Sequence, residues 1–309
     1  MSPRAFTNSH RPCAAPGVGQ PRPRRFEAPA PLAFWHLSSL DAPTVAVVWS
    51  LAFAWALHLD LPAWIPILLA LTVWAVYVGD RLLDAYTALR KASLHRLRDR
   101  HRFHWRHRNV FLPLALCAAG LAGGIILSLM PPVSLERNSV LAAATLVYFT
   151  GVHSPRHRFA LGHTSLKAGV LARMSSSDLL VGILFTSGCV LPVFGRTATA
   201  EILPLPGLAF YFALLAWLNC AAIRRWESGK ELAASQSILI SALILNALGL
   251  VAAFLLSRHQ PRVAALLAAG AASALLLALL DRLRNRLTPL ALRAGADLVL
   301  LTPLALLLR

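Results

Sequence analysis

The chain is poor in acid. It has 309 residues with only 13 Asp and Glu against 30 Lys and Arg. Lysine is scarce too, being confined to Lys91, Lys167 and Lys230. The four cysteines, Cys13, Cys117, Cys189 and Cys220, are far apart and form no CxxC pair. That spacing excludes a disulfide framework and a clustered zinc site. No GxGxxG turn, Walker loop, serine nucleophile elbow or HExxH helix occurs, so nothing supports ATP-driven transport or hydrolase chemistry. The first residues lack an apolar core segment, so no secretory signal is expected. Residues 1–37, rich in Pro and Arg, read as a disordered basic tail on the cytoplasmic side.

Apolar residues dominate the rest. They make up 57% of the chain, against about 45–50% in soluble domains. They fall in nine runs: 43–59, 63–84, 110–130, 139–152, 178–194, 205–223, 234–256, 263–280 and 290–308. At 1.5 Å rise per residue, such runs cross roughly 30 Å of hydrocarbon. The fold expected over residues 38–309 is therefore an all-α polytopic membrane bundle of about nine transmembrane helices. Prolines at 62, 131, 132, 204, 206 and 261 stand between runs, where they break no helical ladder.

Charge gives the orientation. With the tail inside, only Arg137, Arg196, Arg258, Arg262 and Arg309 fall on outside segments, and the other 25 of the 30 cations fall inside. Cytoplasmic loops carry such an excess, so the amino terminus is expected inside and the carboxyl terminus outside. The net charge of +17 then fits anionic headgroups better than a nucleic-acid partner, and none is expected. The preference for Arg over Lys is that of GC-rich bacterial genomes, which suggests the bacterial cytoplasmic membrane. The two longest inside loops, of about 25 residues each, place the chemistry on that face.

Two segment ends there carry the candidate groups. The second run closes Trp74-Ala-Val-Tyr77-Val-Gly79-Asp80-Arg81-Leu-Leu-Asp84, with two carboxylates four apart on one helical face. Ionisable groups at a membrane boundary are costly and so point to function. A DxxxD pair can hold Mg²⁺ together with substrate phosphates, or it can simply pair with neighbouring Arg. The sixth run ends Leu218-Asn219-Cys-Ala-Ala-Ile223-Arg224-Arg225-Trp226-Glu227. Asn219 and Glu227 are two turns apart on one face, and both ends reach the same side of the membrane. A third feature is His101, His104 and His107 at spacing three among many Arg, which reads as a basic helix facing headgroups more readily than as a metal site.

These ends resemble the UbiA-type intramembrane prenyltransferases. Those enzymes have nine helices, an internal amino terminus and two Asp-rich motifs at the cytoplasmic ends of helices 2 and 6. The first motif, N-D-x-x-D-x-x-x-D, is matched by Asp80 and Asp84 with Arg81, but Val76 and Tyr77 stand at its first two positions. The second is met only by Asn219 and Glu227, with Cys220 and Ile223 where acids are expected. Leu40-Asp41-Ala42-Pro43 is similar to the family's R-x-D-K-P segment without its basic residues, and the tail after Asp297 is also family-like. The resemblance implies an isoprenyl diphosphate, clamped by Mg²⁺, donating its isoprenyl group to an apolar acceptor. It implies Asp80, Asp84, Glu227 and Asn219 as metal contacts, and Arg81, Lys167, Arg224 and Arg225 as diphosphate contacts. Tyr77 and Trp74 would line the prenyl path. The competing expectation is a non-catalytic membrane protein of the same fold that binds or moves a lipid.

Overall fold

The computed structural model describes residues 25–90, 99–153, 176–196, 203–228 and 235–308. These residues are helical almost throughout and contain no strand. Two short helices, α1 (Ala30–Leu37) and α4 (Asp99–Arg106), accompany the long ones. The long helices are α2 (Asp41–Ala56), α3 (Trp64–Arg90), α5 (Arg108–Leu129), α6 (Pro132–His153), α7 (Ser176–Phe194), α8 (Leu205–Ser228), α9 (Ser235–Leu256) and α10 (Pro261–Leu283). The chain closes with α11 (Pro289–Leu298), a 3₁₀ turn (Val299–Leu301) and α12 (Leu304–Leu307).

Six of these segments are long and apolar enough to cross a membrane: Trp64–Leu89, Arg108–Leu129, Leu205–Glu227, Gln236–Leu256, Pro261–Leu283 and Pro289–Leu307. A seventh is added if α1 and α2, which meet at 87°, count as one bent span. Their outer faces are what hydrocarbon requires. Leu127 is 85% exposed and Phe254 79%, positions that would be costly in water. The chain is thus read as a multi-pass integral membrane protein.

Proline marks helix starts as expected from its missing N–H. Pro132, Pro261 and Pro289 each begin a helix. Thr288 caps α11 by accepting a hydrogen bond from the Ala291 N–H at 3.3 Å. Some boundaries run past the apolar runs. α6 begins at Pro132 and not near 139, because proline suits a first turn. α3 continues to Arg90, so Asp84 lies inside a helix and not at its end.

The core gathers α2, α8 and α10. Trp49 stacks on Phe212 with ring centres 4.0 Å apart, and Phe53 meets Phe212 edge-on at 5.8 Å. Where α9 and α10 approach α8, small residues face Tyr211. A Cβ on Gly249 would lie 2.5 Å from the Tyr211 hydroxyl, and one on Gly270 2.7 Å from its ring. Close contact through small residues is how helices pack in lipid, where burial itself supplies little drive. The break after α11 is satisfied from neighbours: Trp49 Nε1 donates to the Leu300 carbonyl at 2.8 Å, and the Thr302 hydroxyl donates to Ala269 at 2.7 Å.

Two features fix the ends of the bundle. The Phe26 N–H donates to the Arg286 carbonyl at 2.7 Å, and the Thr288 N–H donates to Phe26 at 3.0 Å. The chain before α1 therefore lies at the same end as the α10–α11 turn. At the opposite end Arg262 donates to the Trp55 carbonyl at 3.2 Å, joining the start of α10 to the end of α2.

Candidate functional site

The end of the bundle carrying the α10–α11 turn also holds a buried polar cluster. It is built on the bend between α1 and α2. Ser39 sits there with φ of 63°, a left-handed conformation that costs a non-glycine residue about 1–3 kcal/mol. The Ser39 side chain is fully buried and justifies the bend. Its hydroxyl accepts a hydrogen bond from Arg81 Nη1 and lies 3.0 Å from His104 Nε2. His104 Nδ1 is 2.9 Å from the Arg100 carbonyl, which can only accept, so Nδ1 carries the proton. Nε2 is then an acceptor for Ser39. Burial drops the His104 pKa to about 4, and this imidazole is neutral at pH 7.

Two carboxylates complete the cluster. Asp41 opens α2 at 3% exposure and accepts from the Ala42 N–H at 2.9 Å, at the positive end of the helix dipole. His36 Nδ1 lies 2.7 Å from Asp41 Oδ2 and 3.3 Å from Asp297 Oδ2. Arg81 Nη2 is 3.8 Å from Asp41, and Asn219 Nδ2 donates to Asp297 Oδ1 at 3.2 Å. Five helices, α1, α2, α3, α8 and α11, are thereby tied at one point. Charge buried this deeply is stable only when paired, and here Arg81 and His36 face two acids. Neither His36 ring nitrogen makes a hydrogen bond among the described residues, so Nδ1 meets the two carboxylates as an ion-pair contact, and Asn219 Oδ1 is likewise buried without a hydrogen-bond partner.

His36, Asp41 and Asp297 present three ligand atoms within 4.8 Å of one another. One imidazole and two carboxylates do not suit Mg²⁺, which prefers oxygen donors with water and phosphate. The Arg81 guanidinium beside Asp41 opposes a cation further. The arrangement acts as a hydrogen-bonded ionic lock.

Beside the lock runs an apolar cavity of about 780 Å³. This is within the range of small-molecule sites, roughly 300–1,000 Å³. α3 lines it from Trp64 to Leu83, with α6 and α7 opposite and Ala46 of α2 reaching it. The stretch of α3 is about 28 Å long at 1.5 Å per residue, so the cavity follows the helices lengthwise. Asp80 and Tyr77 line it near the lock, and Arg137, Asn138 and Arg196 line it at the far end.

The residues singled out from the sequence are distributed as follows. Asp80 lines the cavity, while Asp84, one turn on, sits 3.9 Å from His101 Nε2. Tyr77 lines the cavity with Arg81 5.9 Å from its ring centre. Arg81 itself points into the lock, donating also to the His36 carbonyl at 3.3 Å. Trp74 Nε1 donates to the Ser38 carbonyl at 3.0 Å, bracing the bend. Glu227 forms a largely buried ion pair with Arg293 of α11, and Asn219 holds Asp297. Arg225 donates to Ser237 Oγ at 2.9 Å, and Arg224 is on the exposed side of α8. Lys167 lies outside the described residues. His101, His104 and His107 do not converge: the first faces Asp84, the second Ser39, and His107 Nδ1 lies 2.9 Å from the Phe103 carbonyl.

Sequence reasoning did not select His36, Ser39, Asp41, His104 or Asp297 as site residues. A signal was available for Asp297, a carboxylate within an apolar run. None was available for Ser39, whose importance comes from a backbone angle. No family model, curated protein or solved structure matches the chain.

Proposed function

We propose that this chain is a divergent UbiA-like membrane prenyltransferase that takes an isoprenyl diphosphate and transfers its isoprenyl group to an apolar acceptor. The observation that carries this reading is the apolar cavity with Asp80 and Tyr77 at one end. A long hydrocarbon chain needs such a lengthwise apolar groove, and its diphosphate needs a cation-binding group at one mouth.

Asp80 and Asp84 fit Mg²⁺ as a two-carboxylate site. They are four residues apart on α3, and the Asp84 side chain keeps 36% exposure, leaving room for water and phosphate oxygens. Mg²⁺ there would neutralise charge on the leaving diphosphate. Arg224, Arg225 and Lys167 are the cations for the diphosphate. The residues of this chain then have separate tasks. Tyr77 and the apolar wall of α3 exclude water from the allylic carbon as it gains positive character. Arg81, Asn219 and Glu227 act through the lock and the Arg293 pair, holding α3, α8 and α11 in register.

The membrane arrangement in this proposal is nine spans in a bacterial cytoplasmic membrane, amino terminus inside and carboxyl terminus outside. It is supported by the Phe26–Leu287 pairing, which puts both ends of that stretch on one face. Eight long helices, α2, α3 and α5–α10, lie between those residues, and an even number returns the chain to the same side.

One observation favours the reading as a non-catalytic lipid-binding protein: Glu227 is committed to Arg293 and Asn219 to Asp297. The test separates the two. Purified protein is mixed with radiolabelled geranyl and longer isoprenyl diphosphates, with and without Mg²⁺, for the parent, Asp80→Asn and Asp84→Asn. Mg²⁺-dependent diphosphate release, lost in both variants, supports the enzyme. Binding without release supports the lipid binder, and no binding at any chain length overturns both.

A further inference from the structure

The far end of the cavity is cationic, and this bears on a second ligand. Five cations fall on the sequence segments assigned to the outer face, and two of them, Arg137 and Arg196, line this one mouth. They come from different elements, α6 and the turn after α7, and are brought together by packing. The Arg137 guanidinium lies against Gly195, where a Cβ would meet it head-on. Glycine at 195 is therefore what lets Arg137 approach the backbone next to Arg196.

Both guanidiniums are held in place, but not by acids. Arg137 stands 5.9 Å from the Phe194 ring centre and donates weakly to Ser134 Oγ at 3.5 Å. Its Nε is buried with no hydrogen-bond partner among the described residues. Arg196 lies 5.6 Å from the Trp64 ring centre and donates to the Pro192 carbonyl at 3.3 Å. Neither meets a carboxylate among the described residues. Two cations that meet no carboxylate among the described residues, at the mouth of an apolar groove, complement an anion that carries a hydrocarbon chain.

We infer that Arg137 and Arg196 form a headgroup site for an anionic phospholipid, whose phosphate is clamped by the two guanidiniums while an acyl chain lies in the cavity. Trp64 and Asn138 flank the headgroup, and Met130 and Ile126 line the wall beside its chain. The phosphate clamp is at the end opposite Asp80 and requires neither that carboxylate nor a metal, while the acyl chain takes the groove that the prenyltransferase reading gives to the isoprenyl chain, so the two ligands would exclude one another.

The test is native mass spectrometry of the full chain in detergent, titrated with dioleoyl phosphatidic acid or dioleoyl phosphatidylcholine. The parent is expected to retain one phosphatidic acid in preference to phosphatidylcholine. Arg137→Gln and Arg196→Gln should each weaken that binding about tenfold, the loss of one charge-assisted contact. Gly195→Ala should weaken it too, by displacing the Arg137 guanidinium with both charges kept. Asp80→Asn should leave it unchanged. Thermal unfolding of the arginine variants should match that of the parent, which separates loss of the lipid site from loss of the fold. Equal retention of the two lipids, or arginine variants that bind as the parent does, overturns the proposal. So does displacement of the lipid by millimolar inorganic phosphate, which would make the site one for a free anion.

Discussion

His104 is the residue whose chemistry is most narrowly determined. Its two ring nitrogens have fixed roles, and its pKa is held near 4 against an ordinary 6.5. Between those values the unfolded chain binds a proton that the folded chain refuses. Stability is therefore complete above pH 6.5 and declines as pH falls toward 4, by up to about 3 kcal/mol from this group. Thermal unfolding followed across that range should show a shallower decline in His104→Gln than in the parent. Identical slopes would mean that His104 is hydrated and not buried. The Glu227–Arg293 pair offers a second residue-scale test. Its side chains are 14% and 12% exposed. Removing one partner should cost about 3–5 kcal/mol, whereas Glu227→Leu with Arg293→Leu should cost much less. A double-mutant cycle with additive losses would show that the pair has no coupling.

At the scale of elements, apolar runs told most of the story. Hydrocarbon demands continuous apolar sequence, and eight of the nine runs fall on long helices, while the ninth is broken into α11, a 3₁₀ turn and α12. Six segments are long and apolar enough to cross a membrane, or seven with the bent α1–α2 pair. The short helix α1 was not legible, because it is too short to cross a membrane, whereas the basic helix read from the His and Arg spacing corresponds to α4. α4 carries three Arg and two His in eight residues, and it buries His101 and His104, which the reading as a headgroup-facing helix did not anticipate. The ionic lock was not legible either. Its members, at positions 36, 41, 81, 219 and 297, come from five helices distant in sequence. Arg81 illustrates the difficulty. It follows Asp80 directly, but one residue turns about 100° around a helix, which puts Asp80 in the cavity and Arg81 in the lock. Helix contact makes its own prediction at Gly249. Gly249→Ala should destabilise the bundle by about 1–3 kcal/mol through overpacking against Tyr211. Tyr211→Leu in the same chain should recover part of that loss, as read by thermal unfolding. Failure of any rescue would place the strain elsewhere.

For the whole molecule, the arrangement of charge and the arrangement of cavities agree. One end gathers the chain at Phe26, the lock, Asp80 and Asp84, and the other carries Arg137, Arg196 and Arg262. An alkaline phosphatase fusion after residue 309 should be active in bacteria if nine spans leave the carboxyl terminus outside, and inactive if the number is even. The central claim, that the cavity holds an isoprenyl chain with its diphosphate at Asp80, has a steric test. Gly188 lines the cavity, and a Cβ there meets nothing within 4 Å, so a large side chain can fill the groove without disturbing the helices. The measurement is equilibrium binding of geranylgeranyl diphosphate, with Mg²⁺, to the parent, Asp80→Asn and Gly188→Trp. The account predicts tight binding to the parent, loss in Asp80→Asn, and loss in Gly188→Trp that is relieved with the shorter geranyl diphosphate. Binding that ignores both substitutions would contradict it.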